Sequence, residues 1–136
     1  MEIINNLKIC FWNAHSIRNK INETIDFINN NNIDVLILTE TWLQVSDKIH
    51  ASNFKCYRLD RTNRGGGGIA VLINRKIQHS LLPYYETKVI ECLGFNIISE
   101  SGNFNLIAVY FPGSLLTKQK LCDFKSDLNT ICNTYA

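Results

Sequence analysis

Apolar positions fall into two rhythms along this chain. Leu7-Lys8-Ile9-Cys10-Phe11-Trp12 alternates apolar with mixed residues and predicts a strand. Ile17, Ile21, Ile25 and Ile28 recur at helical spacing and predict one amphipathic helix, with Ser16 placed to cap its start. The run Asn29 to Asn32 ends it. Ile33-Asp34-Val35-Leu36-Ile37-Leu38 is short and almost wholly apolar, the pattern of a strand buried on both faces. Strand, helix and strand within about thirty residues predict a βαβ unit whose two strands lie parallel and adjacent.

Beyond Trp42 the pattern turns irregular and then shortens into strands. Phe54 to Leu59 is one, followed by a turn from Arg61 to Gly67 and a second strand from Gly68 to Ile73. Ile77 to Leu82, Lys88 to Ile98 and Phe104 to Tyr110 continue an antiparallel series, with Ser101-Gly102-Asn103 as a hairpin turn. From Leu115 onward the period changes again. Leu121, Phe124, Leu128 and Ile131 share one helical face. The class is α/β or α+β, with a mixed sheet. Read as one sheet of about seven strands, it needs cover on both faces. Two helices cover one, so the other is expected to be bare, with a second sheet missing and the isolated chain prone to aggregate.

Composition changes this picture little. With 136 residues the chain suits one modest domain, and 46% hydrophobic with 19% charged residues is globular composition. A net charge of +2 is compatible with a nucleic-acid partner without demanding one. The basic clusters, Arg58-Arg61-Arg64 and Arg75-Lys76, are too short for a dedicated non-catalytic DNA binder. The five cysteines form no CxxC pair, which predicts free thiols rather than a disulfide framework or a zinc site. Met1 to Asn6 lacks the form of a signal peptide, and no apolar run approaches the ~20 residues of a membrane helix. An intracellular location, cytoplasm or nucleus, is expected, with no membrane partner.

Candidate chemistry gathers at strand ends. Asn13 follows the first strand and Glu40 the second. Parallel neighbours lie ~4.8 Å apart, so these residues meet on the edge where open parallel sheets bind ligands. An amide and a carboxylate there form an oxygen-rich corner suited to Mg²⁺, or else they merely cap loops. Tyr110 ends its strand, where a phenol either reaches a phosphate oxygen or packs in the core. Gly65 to Gly68 lacks the Gly-Lys-Ser/Thr sequence of a phosphate loop and precedes a strand, so it reads as a tight turn. His15, His50 and His79 have no partner at metal-ligand spacing, and His15 reads as a solvent-facing loop residue. No nucleophile elbow or Cys/His pair suggests covalent catalysis.

Four segments together resemble the endonuclease/exonuclease/phosphatase superfamily, and within it the endonuclease domain of Jockey-like non-LTR retrotransposons. They are Phe11-Trp12-Asn13-Ala14-His15-Ser16-Ile17-Arg18-Asn19-Lys20, then Ile37-Leu38-Thr39-Glu40-Thr41-Trp42-Leu43, then Tyr57-Arg58-Leu59-Asp60-Arg61 with Gly65 to Ala70, and Ala108-Val109-Tyr110-Phe111-Pro112-Gly113. They occur in the family's order and at its approximate spacing. The resemblance implies a four-layer α/β sandwich of two face-to-face sheets with helices outside, of which this chain is the first half. It implies phosphodiester cleavage of DNA with Mg²⁺ or Mn²⁺. Glu40 would be the metal ligand, Asn13 its helper, and Tyr110 the group that steadies the scissile phosphate. Arg58 and Arg61 would touch backbone phosphate.

The family's later Gly-Asp-Phe-Asn strand and Ser-Asp-His motif, which activate water and contact phosphate, do not occur among these residues. Asp123 and Asp127 sit on the tail helix and do not replace them. The expectation is a partial domain over residues 1–136, nearly inactive alone, since general-base loss costs ~10²–10⁴-fold. A reverse transcriptase domain would accompany it if the reading frame continues. A non-catalytic remnant that at most binds nucleic acid, and a superfamily phosphatase acting on small phosphoesters, are the competing readings.

Overall fold

The computed structural model describes residues 6–62, 65–113 and 116–135. Arg64 of the basic cluster and Leu115 at the start of the tail lie outside them. The elements run β1 (Ile9–Asn13), α1 (Ile21–Asn30), β2 (Val35–Thr39), β3 (Phe54–Leu59), β4 (Ile69–Asn74), β5 (His79–Leu81), β6 (Glu91–Ile97), β7 (Phe104–Tyr110) and α2 (Lys118–Thr134).

The seven strands do not form one sheet. They divide into a four-stranded sheet, order β1-β2-β4-β3, and a three-stranded sheet, order β5-β6-β7. β1 and β2 are parallel neighbours, as the βαβ pattern predicts, while β4 is antiparallel to both β2 and β3. The smaller sheet is antiparallel throughout. Strand alternation then sorts the side chains. Val35, Ile37, Val71 and Ile73 point inward and meet Leu93, Phe95, Ile97 and Ala108 of the other sheet. Leu36, Leu38, Ala70 and Leu72 point outward and pack on Ile28 of α1. Cys92, Ile90 and Val109 pack on Ile131, Phe124 and Leu128 of α2. The layers are therefore α1, sheet, sheet, α2. Most of the bare face expected from a single-sheet count does not exist, because the sheets cover each other's inner faces except along β1. The open apolar surface is thereby reduced to the inward row of β1.

What remains open is an edge. Ile9 and Phe11 belong to the inward row of β1, yet they are 43% and 60% exposed, because the smaller sheet does not extend over them. On the other side of β1, Cys10, Trp12 and Phe27 line a mostly apolar groove of about 370 Å³.

Two local expectations need correction. Ser16 does not cap the first helix; it lies at φ 75°, and the helix starts five residues later, at Ile21, behind Lys20, which makes no side-chain cap. The backbone from Ala14 to Ile17 is instead hydrogen-bonded to the carbonyls of Thr39, Glu40 and Thr41, which withholds it from the helix. The expected strand from Lys88 begins only at Glu91. The amides of Lys88, Val89 and Ile90 all donate to the carboxylate of Asp127, at 2.8–3.1 Å, rather than to a strand. Asp127 is thus the buried anchor of α2 on the entry to β6, a role its sequence context does not announce. All five cysteines are free, and among the described residues no helix is long and apolar enough to cross a membrane.

Burial opposes the charge on Asp127, but the three backbone donors outweigh it and hold the carboxyl below its ordinary value. A lowered folded-state pKa gives stability that is full above the unfolded pKa and is lost as pH falls through the folded one. Asp127→Ala, which strands three donors, is expected to cost about 1–3 kcal/mol at neutral pH. Thermal melts should show this gap narrowing in the acid range. Equal melting of the two proteins at pH 7 would contradict the anchor.

Candidate active site

The carboxyl ends of β1 and β2 lie side by side, with Asn13 registered against Thr39. The chain leaves both strands through left-handed backbone. Of the five described non-glycine residues with positive φ, four are His15, Ser16, Glu40 and Trp42, all in these two loops. Such conformations cost of order 1–3 kcal/mol each and persist where the surrounding structure over-determines the backbone. Here the constraint is visible. Ala14, Ser16 and Ile17 amides donate to Thr39, Glu40 and Thr41 carbonyls, and Lys20 Nζ donates to the Ala14 carbonyl at 3.1 Å. On the far side, Thr41 and Trp42 amides donate to the Gly68 and Gly67 carbonyls. The Thr39 and Thr41 hydroxyls flanking Glu40 are buried and have no hydrogen-bond partner in the protein.

Glu40 is the centre of this corner. Its Oε1 accepts from the Tyr110 hydroxyl at 2.6 Å, and its Oε2 lies 3.2 Å from His15 Nδ1. Hydrogen bonding from Tyr110, with smaller help from His15 and Asn13, outweighs desolvation and lowers the carboxyl below its ordinary value. The same contact acts oppositely on the phenol. Burial first, and then the Glu40 carboxylate, push Tyr110 up to about 12, so the shared proton stays on the tyrosine at neutral pH. Tyr110 comes from the smaller sheet and Glu40 from the larger. The pair therefore closes the gap between the two sheets at one end.

The structure brings together Asn13, Glu40 and Tyr110. It adds His15, whose ring is mostly exposed but sits against Trp42 with centroids 4.5 Å apart. The solvent-facing reading of His15 holds for its exposure and misses its contact with Glu40. Arg58 and Arg61 are differently placed. Arg58 spends its guanidinium on Asp60 and on the Gln44 and Asp47 carbonyls. Arg61 turns inward and pairs with Glu91. Sequence reasoning overlooked Glu91, since a carboxylate at the head of an alternating strand gives no sign of which sheet it will face. Gly66, Gly67 and Gly68 all have positive φ and open β4, as the tight-turn reading expects.

Among the described residues no three His, Cys, Asp or Glu side chains converge on a metal site. One carboxylate beside one side-chain amide is too few ligands for a structural zinc site. It suits Mg²⁺ or Mn²⁺, which keep several waters and take further oxygens from a phosphate.

Residues 10–130 match the profile of the Endonuclease/Exonuclease/phosphatase family. The chain is 28% identical over 130 residues to the RNA-directed DNA polymerase from mobile element jockey of Drosophila melanogaster, covering 95% of this chain and 14% of that protein. Among solved structures it resembles the endonuclease domain of TRAS1, a telomere-specific non-LTR retrotransposon, with a TM-score of 0.62 and 13% identity. That match covers 88% of this chain and 52% of the other. It also resembles a 3' phosphatase from Neisseria bound to product DNA hairpin, with a TM-score of 0.60 and 18% identity over 93% of this chain and 50% of that one. The chain thus spans about half the length of these structures and a small part of the mobile-element polymerase.

Removing the phenol tests the central contact. Tyr110→Phe takes away the main group that favours ionised Glu40, so the Glu40 carboxyl should titrate at higher pH, towards its ordinary value. Carboxyl ¹³C NMR across the acid range reads this directly. An unchanged Glu40 titration would show that the hydrogen bond does not form in solution.

Proposed function

Because the chain belongs to the Endonuclease/Exonuclease/phosphatase family, we propose that it supplies the metal-binding corner of a Mg²⁺- or Mn²⁺-dependent DNA endonuclease that nicks the target site of a mobile element. The observation that carries this reading is the Glu40–Tyr110 contact at 2.6 Å, beside Asn13, at the carboxyl ends of parallel strands. Glu40 and Asn13 would hold the cation. When bound, it neutralises charge that develops on phosphoryl oxygens. Glu40 is ionised at neutral pH, and the Tyr110 hydrogen bond holds its carboxyl below the ordinary value. Tyr110 is protonated at neutral pH and donates that proton to Glu40; released from Glu40, it could donate it to a phosphate oxygen where negative charge builds. His15 steadies the second oxygen of Glu40, and Trp42 limits the swing of that ring.

In this reading residues 1–136 are part of a larger domain. The open inward row of β1 and the edge beyond β7 are where further strands would add, carrying the family's Gly-Asp-Phe-Asn and Ser-Asp-His motifs. DNA is the proposed substrate, and a reverse transcriptase domain the proposed neighbour, as in the jockey relative's name. Arg58 and Arg61 serve the framework here rather than the phosphate, since both guanidiniums already have protein acceptors.

Relaxation of supercoiled plasmid tests the reading. With Mg²⁺ the chain should nick slowly, ~10²–10⁴-fold below a homologue with both motifs. Chelation or Glu40→Ala should abolish the nicking, and DNA affinity should fall steeply with salt. Nicking that survives Glu40→Ala would overturn the proposal. Salt-independent association with no nicking would favour a non-catalytic remnant, and faster turnover of a small phosphomonoester than of DNA would favour a phosphatase.

A further inference from the structure

Glu91 heads β6 and is registered directly against Tyr110 on β7. The two side chains leave the smaller sheet on the same face and both cross to the larger one. Tyr110 reaches Glu40. Glu91 reaches the turn before β4: its Oε1 lies 2.7 Å from Arg61 Nε and 2.6 Å from Nη2, and its Oε2 accepts from the Gly68 amide at 2.8 Å. Both charged side chains are largely shielded, Arg61 at 12% and Glu91 at 17% exposure. One registered pair of residues therefore makes both bridges.

The turn is built around this contact. The Arg61 guanidinium lies on Gly67 so closely that a Cβ there would fall 2.1 Å from Arg61 Cζ. A Cβ at Gly68 would fall 2.5 Å from the Thr41 hydroxyl. The turn in turn holds the Glu40 loop, because the Gly67 and Gly68 carbonyls accept from the Trp42 and Thr41 amides. Those residues flank Glu40 on its carboxyl side, where Glu40 and Trp42 both sit in left-handed backbone. A continuous path of hydrogen bonds and one ion pair thus runs from Glu91 through Arg61 and the glycine turn to the backbone at Glu40.

We propose that Glu91 is a positioning residue, a clamp that fixes the glycine turn of one sheet against the other and so sets the reach of Tyr110 to Glu40. The proposal rests on the reading of Glu40 and Tyr110 as the working pair. Arg61 acts through the same clamp, which accounts for its inward fork.

The test is the titration of Glu40 by carboxyl ¹³C NMR, in the absence of metal and DNA. Glu91→Asp keeps the charge but withdraws the carboxylate by one methylene. It should raise the proton affinity of Glu40 by roughly threefold or more, towards the value in Tyr110→Phe. Arg61→Lys, which keeps charge but loses the fork, should act in the same direction. Phe54→Leu, a core change at the opposite end of the larger sheet, should leave Glu40 unmoved. Wild-type titration in both clamp variants would overturn the proposal. So would a failure of both to fold, which would make the ion pair a stability element rather than a positioning one. Because no step of this test needs cleavage, a chain that never nicks DNA still decides it.

Discussion

A strand shows its side chains alternately to two faces, so burying Ile37 and Val71 against Phe95 commits every second residue of both sheets to one shared gap. The rest of the molecule follows from that commitment. The outward rows are left for α1 and α2 to cover, which gives four layers. The inward rows end in residues with polar groups. Glu91 and Tyr110 end the rows of β6 and β7, and Thr39 ends the row of β2 just before Glu40. The functional corner is the place where the inter-sheet core gives way to solvent, and its geometry is set by how closely the apolar part packs.

Position alone does not make the corner selective for a charged state. Hydrogen bonds from Tyr110 first, then His15 and Asn13, hold the Glu40 carboxyl below its ordinary value, and its loop is held in a left-handed conformation that L-residues rarely adopt. The strain at His15, Ser16, Glu40 and Trp42 is offset by backbone hydrogen bonds between the β1 loop, the β2 loop and the glycine turn. The three loops form one hydrogen-bonded unit, and Glu91 ties that unit to the opposite sheet.

Much of the secondary structure was legible in the sequence because each element carries a clear period. The helix stripe of Ile21, Ile25 and Ile28 and the run Val35 to Leu38 gave the βαβ unit, and with it the meeting of Asn13 and Glu40. The division into two sheets was not legible from periodicity, which records that a strand is half-buried and not what buries it. The count of faces needing cover pointed to a second sheet but placed it outside these strands, and the likeness to a known family implied two sheets face to face. The start of the first helix was misread because Ser16 has the right side chain for a cap, while its backbone is claimed by Glu40. Asp127 and Glu91 were missed for a shared reason. Both are carboxylates whose partners are backbone amides or an arginine brought near by the fold, at separations of 23 to 39 residues. No local pattern encodes such a meeting.

The central claim is that Glu40 and Asn13 form a divalent-cation corner. The most direct measurement is a Mg²⁺ titration of the isotopically labelled chain at neutral pH, following side-chain carboxyl and amide signals by NMR. The account predicts saturable movement of the Glu40 carboxyl together with the Asn13 amide, while Glu23 and Glu86 stay in place. Mg²⁺ that leaves Glu40 and Asn13 unmoved, or that shifts all carboxylates alike, would contradict it.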